Sequence, residues 1–136
     1  MIRFTTEDIE MPKIQTGQIN RWIHSTAAFY GKTLGNINYV FCSDAKILEY
    51  NKTWLNHDYY TDIITFDYSE NQILSGDIYV GIETVYSNAK MLNLEEENEL
   101  LRIIIHGILH LCGFKDKTPE DELIMHEQED LALSNI

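Results

Sequence analysis

The sequence predicts a single domain of mixed helices and strands. Three observations carry that reading. The length of 136 residues suits one domain able to bury a core of its own. Four short apolar stretches of strand character lie among five segments with helical periodicity or helix-start signals. One stretch near the C-terminal end, Leu101-Arg-Ile-Ile-Ile-His106-Gly-Ile-Leu-His110-Leu-Cys-Gly113-Phe-Lys-Asp116, is apolar on nearly every side and predicts a central helix.

In chain order, residues 2–5 predict a short strand. Ile19, Trp22, Ile23, Thr26, Ala27 and Tyr30 recur at the spacing of one buried helix face, which predicts a first helix over residues 15–34 with Gly35 as its stop. His24 falls off that stripe and is expected in solvent. Residues 37–42 alternate as a strand, with Cys42 expected as a small buried residue. Ser43 is placed to cap a second helix over residues 44–55, with Ile47, Leu48, Asn51, Trp54 and Leu55 on one side. Residues 56–62 form a polar and aromatic loop of the kind that lines sites. Strands at 63–66 and 77–80, joined by a connection at 68–75, are close enough to pair antiparallel. A third helix is expected over 83–92. Asn93 and Glu96 read as a capping box for the central helix, over 94–112. Gly107 inside that helix costs about 1 kcal/mol relative to Ala, which close approach of another backbone or a substrate would explain. Thr118, Pro119 and Asp121 predict the start of a last helix over 119–133. No repeat or linker divides the chain, so residues 1–136 are expected to act as one unit.

The formal net charge is −12, of which −8 falls in residues 95–136, with 11 acidic and 3 basic side chains there. This argues against a broad basic face. DNA is not an expected partner, and any RNA contact is confined to a small patch. No apolar run reaches the ~20 residues of a membrane span. The first residues carry acids where a secretory signal carries an apolar core, so the cytoplasm is the expected compartment. Cys42 and Cys112 make no disulfide framework.

The chemistry concentrates in the central helix. Each helical residue turns about 100°, so His106 and His110 share one face and can hold one metal ion. Gly113 is a good helix stop, and Asp116 is the first side chain beyond it with metal-binding chemistry. Cys112 lies about 200° round the helix from His110 and points away. His57, His126 and other acids compete for the third place; His126 is expected at the surface. Three protein ligands with an open fourth position mark a catalytic zinc. Gly107 stands where the two-His zinc proteases carry a general-base Glu, which counts against peptide hydrolysis. With a carboxylate as third ligand a divalent ion keeps one net positive charge. That gives a less acidic bound water than three histidines and readier acceptance of oxygen-preferring metals.

Residues 106–116 resemble the His-Gly-x-Leu-His-Leu-x-Gly-Tyr-Asp-His signature of the YbeY family, metal-dependent endoribonucleases of bacterial rRNA maturation. Thr61-Asp-Ile-Ile-Thr-Phe66 is similar to that family's Thr-Asp-Val-Leu-Ser-Phe, and Gly76-Asp-Ile78 to its Gly-Asp-Ile. The resemblance implies an α+β fold with a small mixed sheet of about four strands packed against about five helices. It also implies one Zn²⁺ held by His106, His110 and, by position, Asp116, and single-strand-specific cleavage in 16S rRNA 3′-end maturation and ribosome quality control. The implied partners are rRNA and the small ribosomal subunit. Two departures stand out: Asp116 replaces the family's third histidine and Lys115 its Asp, while Leu55 takes the place of an Arg linked to RNA phosphate. Lys52 and Lys115 are the nearest replacement cations. The competing readings are a metallohydrolase for another substrate, a ribosome-associated factor with a structural metal and, more remotely, an oxygen-activating iron site.

Overall fold

A computed structural model describes residues 1–55 and 61–136. The elements run β1 (Ile2–Thr6), α1 (Thr16–Phe29), β2 (Thr33–Cys42), α2 (Asp44–Leu55), β3 (Ile63–Asp67), β4 (Ile73–Gly81), α3 (Ile82–Met91), α4 (Glu96–Leu111) and α5 (Pro119–Leu133). The four strands form one mixed sheet in the order β1-β2-β4-β3. β1 and β4 run parallel to β2, and β3 pairs antiparallel with β4, as the short connection between them predicts. Among the described residues this is the α+β architecture of four strands and five helices.

One sheet face turns Ile37, Tyr39, Phe41, Leu74, Ile78 and Val80 into the main core, against Ile19 and Ile23 of α1 and Ile104 and Ile108 of α4. The other face carries a smaller cluster of Cys42, Ile47 and Ile64 beneath α2. Two buried side-chain bonds tie the layers together: Tyr39 donates its hydroxyl to the Ile104 carbonyl at 2.6 Å, and Trp22 Nε1 donates to the Ala132 carbonyl at 2.8 Å. His24 is exposed and Cys42 buried, as expected.

Four expectations need correction. The first helix ends at Phe29, five residues before the expected end. Gly31, at φ 74°, supplies the left-handed residue; its N–H bonds to the Ala28 carbonyl and that of Lys32 to Ala27, a Schellman ending. Residues 33–35 instead begin β2, and Gly35 sits at a register shift between Leu34 and Ile37, its backbone against Ser75. Asn93 does not cap the central helix. At φ 56° it closes α3 in a second Schellman ending, and Glu95 becomes the N-cap of α4 without a side-chain cap bond. On α2, Ile47 and Asn51 are buried, but Trp54 and Leu55 stand 47% and 39% exposed, so the expected buried stripe fails in the last turn. The two strands at 63–66 and 77–80 are also longer than expected, because the chain between them turns tightly at Asn71 (φ 56°).

Candidate metal centre and its cleft

From Leu100 to Leu111, α4 is buried except at Leu101, Arg102, His106 and His110. The last three recur every fourth residue and form one stripe. That stripe faces a cleft of about 880 Å³ walled by β3, the end of α2 and the segment after α4. Packing explains the placement. Gly107, about 100° round the helix from His106, lies against the sheet: a Cβ there would stand 2.9 Å from Ile78 Cδ1. The close approach is therefore to an Ile side chain, and neither a backbone nor a substrate is needed to account for the glycine.

Gly113 ends α4 at φ 108°, a conformation that glycine adopts without strain. The Phe114 N–H reaches back to the Leu109 carbonyl and that of Gly113 to His110. The turn returns the chain over the histidines. His110 Nδ1 lies 3.0 Å from the Phe114 carbonyl, and that oxygen only accepts, so Nδ1 carries the proton. His110 Nε2 is then an open lone pair, 3.3 Å from Asp116 Oδ2.

His106 is set in the same way from the other side. Its Nδ1 lies 2.5 Å from Glu129 Oε2, and its Nε2 lies 3.3 Å from the same Asp116 Oδ2. Two imidazole nitrogens and a carboxylate oxygen thus converge within 4.8 Å of one another, on two neutral donors and one anion. The donor chemistry fits a divalent ion such as zinc, with room left for a further ligand from the open cleft.

Glu129 went unnoticed in the sequence. Its side chain is 7% exposed and accepts from Arg102 Nη1 at 2.9 Å as well as from His106. Burial alone pushes the Glu129 carboxyl up, but the bonds from His106 and Arg102 outweigh it and hold it below the usual range. Burial alone likewise lowers His106, and the Glu129 carboxylate overrides it and raises the imidazole. Asp62 and Glu99 also line the cleft, and burial raises both. Thr65, on β3, lines it too, and its buried Oγ1 has no hydrogen-bond partner among the described residues; bound water or substrate would satisfy it.

The other expected residues separate clearly. Lys115 lines the cleft, together with Lys117, which the sequence reading passed over. Lys52 is exposed on α2 and is not among the lining residues. Leu55 does line the cleft, a neutral aliphatic at the position of the family's Arg. His126 is at the surface, 61% exposed, as expected. His57 and most of the polar loop lie outside the described residues; of that loop, Asp62 borders the site. Among the described residues no helix is long and apolar enough to cross a membrane.

The sequence profile of the family described as Endoribonuclease YbeY matches residues 1–136. Proteins named Endoribonuclease YbeY are similar along the full length. That of Bacteroides thetaiotaomicron is 50% identical, covering 98% of this chain and 97% of its own. That of Phocaeicola vulgatus is 52% identical, covering 100% and 99%. That of Bacteroides fragilis is 53% identical, covering 98% and 96%. The solution structure of TM1509 from Thermotoga maritima is similar in fold, with a TM-score of 0.71 at 28% identity, covering 98% of this chain and 87% of that one.

Proposed function

Because the chain belongs to the Endoribonuclease YbeY family, we propose that it is a metal-dependent endoribonuclease that cuts single-stranded RNA in the maturation of the 16S rRNA 3′ end and in ribosome quality control. One observation carries the chemical part: His106 Nε2 and His110 Nε2 both turn their lone pairs toward Asp116 Oδ2 at the wall of an open cleft. Neither a peptide hydrolase nor a purely structural metal is favoured. Gly107 occupies the general-base position of the two-His proteases, and among the described residues the donor set is one short of the closed four-ligand structural type.

We assign zinc as the ion, with His106, His110 and Asp116 as ligands. A divalent ion in that place supplies a water that ionises near neutral pH and a positive centre for a phosphoryl oxygen. The chain's own groups do the rest. Glu129 and the Phe114 carbonyl keep both Nδ1 atoms protonated, so both Nε2 atoms stay available. Lys115 and Lys117 put positive charge on the lining of the cleft that also holds Leu55, beside Arg102, whose guanidinium is engaged by Glu129 and Asp130. The chain's net charge of −12 confines phosphate contact to that patch. The small ribosomal subunit is the partner we assign, and the cytoplasm the compartment.

The test compares a single-stranded fragment from the 3′ end of precursor 16S rRNA with the same fragment annealed to a complement. Metal-loaded protein should cut the first and spare the second, and His110→Ala should cut neither. Equal cleavage of both, or cleavage retained by His110→Ala, contradicts the assignment.

A further inference from the structure

We propose that Glu129, anchored by Arg102, is a positioning residue that fixes His106 as a metal ligand; this rests on the metal-site reading above and deepens it. Glu129 comes from α5, 23 residues beyond His106, on a helix whose Glu120, Glu122 and Glu127 are exposed. A carboxylate is rarely buried without partners, and Glu129 has one for each oxygen. Oε2 takes His106 Nδ1 at 2.5 Å and Oε1 takes Arg102 Nη1 at 2.9 Å. Arg102 Nη2 is in turn held by Asp130 Oδ1 at 2.6 Å. The chain of contacts from Asp130 through Arg102 and Glu129 to His106 crosses three times between α4 and α5 and stops at the ring.

Its consequence is a choice of tautomer. Both ring nitrogens face carboxylates, which only accept, but Glu129 is at 2.5 Å from Nδ1 and Asp116 at 3.3 Å from Nε2, so the single proton of the neutral ring sits on Nδ1 and the lone pair on Nε2. An anionic acceptor also makes the imidazole a stronger donor to an ion than a neutral acceptor does. His110 has only the neutral Phe114 carbonyl, so the two ligands are unequally supported and His106 is the one under charge control. Within the cleft lining Arg102 offsets the charge of Glu129, beside Asp62, Glu99 and Asp116, while Asp130 is not among the lining residues.

A plain staple between α4 and α5 would use the same contacts, and the experiment separates the two. In metal-free protein, at a pH where the ring is neutral, nitrogen NMR of His106 should show the proton on Nδ1. In Glu129→Ala it should move toward Nε2, the form free imidazole prefers. Zn²⁺ affinity, read by competition with a chelating dye, should fall about 10- to 100-fold in Glu129→Ala and less in Glu129→Gln, which keeps an acceptor without the charge. A staple alone lowers the melting temperature and leaves tautomer and affinity unchanged. Should Glu129→Ala fail to fold, Glu129→Gln decides by Zn²⁺ affinity, because its amide oxygen still accepts from Nδ1 but carries no charge. Zn²⁺ affinity within twofold of wild type in the folded variants, or a wild-type His106 protonated on Nε2, overturns the proposal and leaves the metal site standing. Wild-type protein that takes up no Zn²⁺ overturns both.

Discussion

Gly107→Ala should destabilise this protein, although the same change in an open helix stabilises. The new Cβ would meet Ile78 Cδ1 at 2.9 Å, Ile78 Cγ2 at 3.1 Å and Ile63 Cδ1 at 3.4 Å. Carbon atoms rest at about 3.5–4.0 Å, so Ile78 must retreat by roughly half an ångström. Ile78 is fully buried in the main core and has nowhere to go cheaply. Overpacking of this kind costs about 1–3 kcal/mol. Ala recovers about 1 kcal/mol of helix propensity over Gly. The expected net loss is about 1 kcal/mol, a fall of roughly 3 °C in Tm for a chain of this length. Ile78→Val removes the Cδ1 that makes the closest contact and alone costs about 0.5–1.5 kcal/mol. In the double variant the clash is relieved, so the two losses should fall short of additivity by about 1 kcal/mol. Urea denaturation of the metal-free protein measures all four corners of the cycle. His106 is the next residue, so a displaced α4 should also weaken metal binding in the single variant. Stabilisation of Gly107→Ala by about 1 kcal/mol, or strict additivity, refutes the packing argument.

Lys115→Ala and Lys117→Ala should each weaken RNA binding in low salt and flatten its salt dependence by about one unit of log–log slope, read by fluorescence anisotropy at several salt concentrations. Thr118→Ala removes the hydroxyl that accepts from the Asp121 N–H at 3.1 Å and should cost about 1 kcal/mol by denaturant titration. Burial pushes the Cys42 thiol up to about 12 and that of Cys112 up to about 11. At pH 8 the thiolate fractions are then about one in ten thousand and one in a thousand. Native protein should react slowly with a disulfide reagent, about tenfold faster per pH unit, and quickly once unfolded.

What was legible in the sequence was local. The helices at Asp44–Leu55 and Pro119–Leu133 start with short side-chain caps, Ser43 and Thr118, and both bonds form, at 3.2 and 3.1 Å. The two-histidine face and the Gly113 stop follow from helix geometry and glycine's backbone freedom, and the structure has both. The choice between Gly31 and Gly35 was not local. Both are plausible stops, and what decides is the pairing of Thr33 and Leu34 with Ile73 and Leu74, a contact made 40 residues away. Asn93 could cap one helix or end another, and the tight join of α3 to α4 selects the second. Glu129 was invisible for a related reason. In an acid-rich helix of low amphipathicity a single glutamate reads as one more solvated charge, and only the packing of α5 on α4 turns it inward. Leu55 could be read as a departure from the family pattern, but Lys117 emerged only once the turn after Gly113 had placed it at the same cleft.

The most direct test is a titration of divalent metal into chelator-stripped protein, with single-stranded RNA cleavage and bound metal read on the same samples. Cleavage should be absent at the start, rise with metal occupancy and level off at one ion per chain. His106→Ala, His110→Ala and Asp116→Ala should bind poorly and stay inactive at the same metal concentrations. Cleavage by the stripped protein, or full activity in any variant that holds no metal, would contradict a centre built on His106, His110 and Asp116.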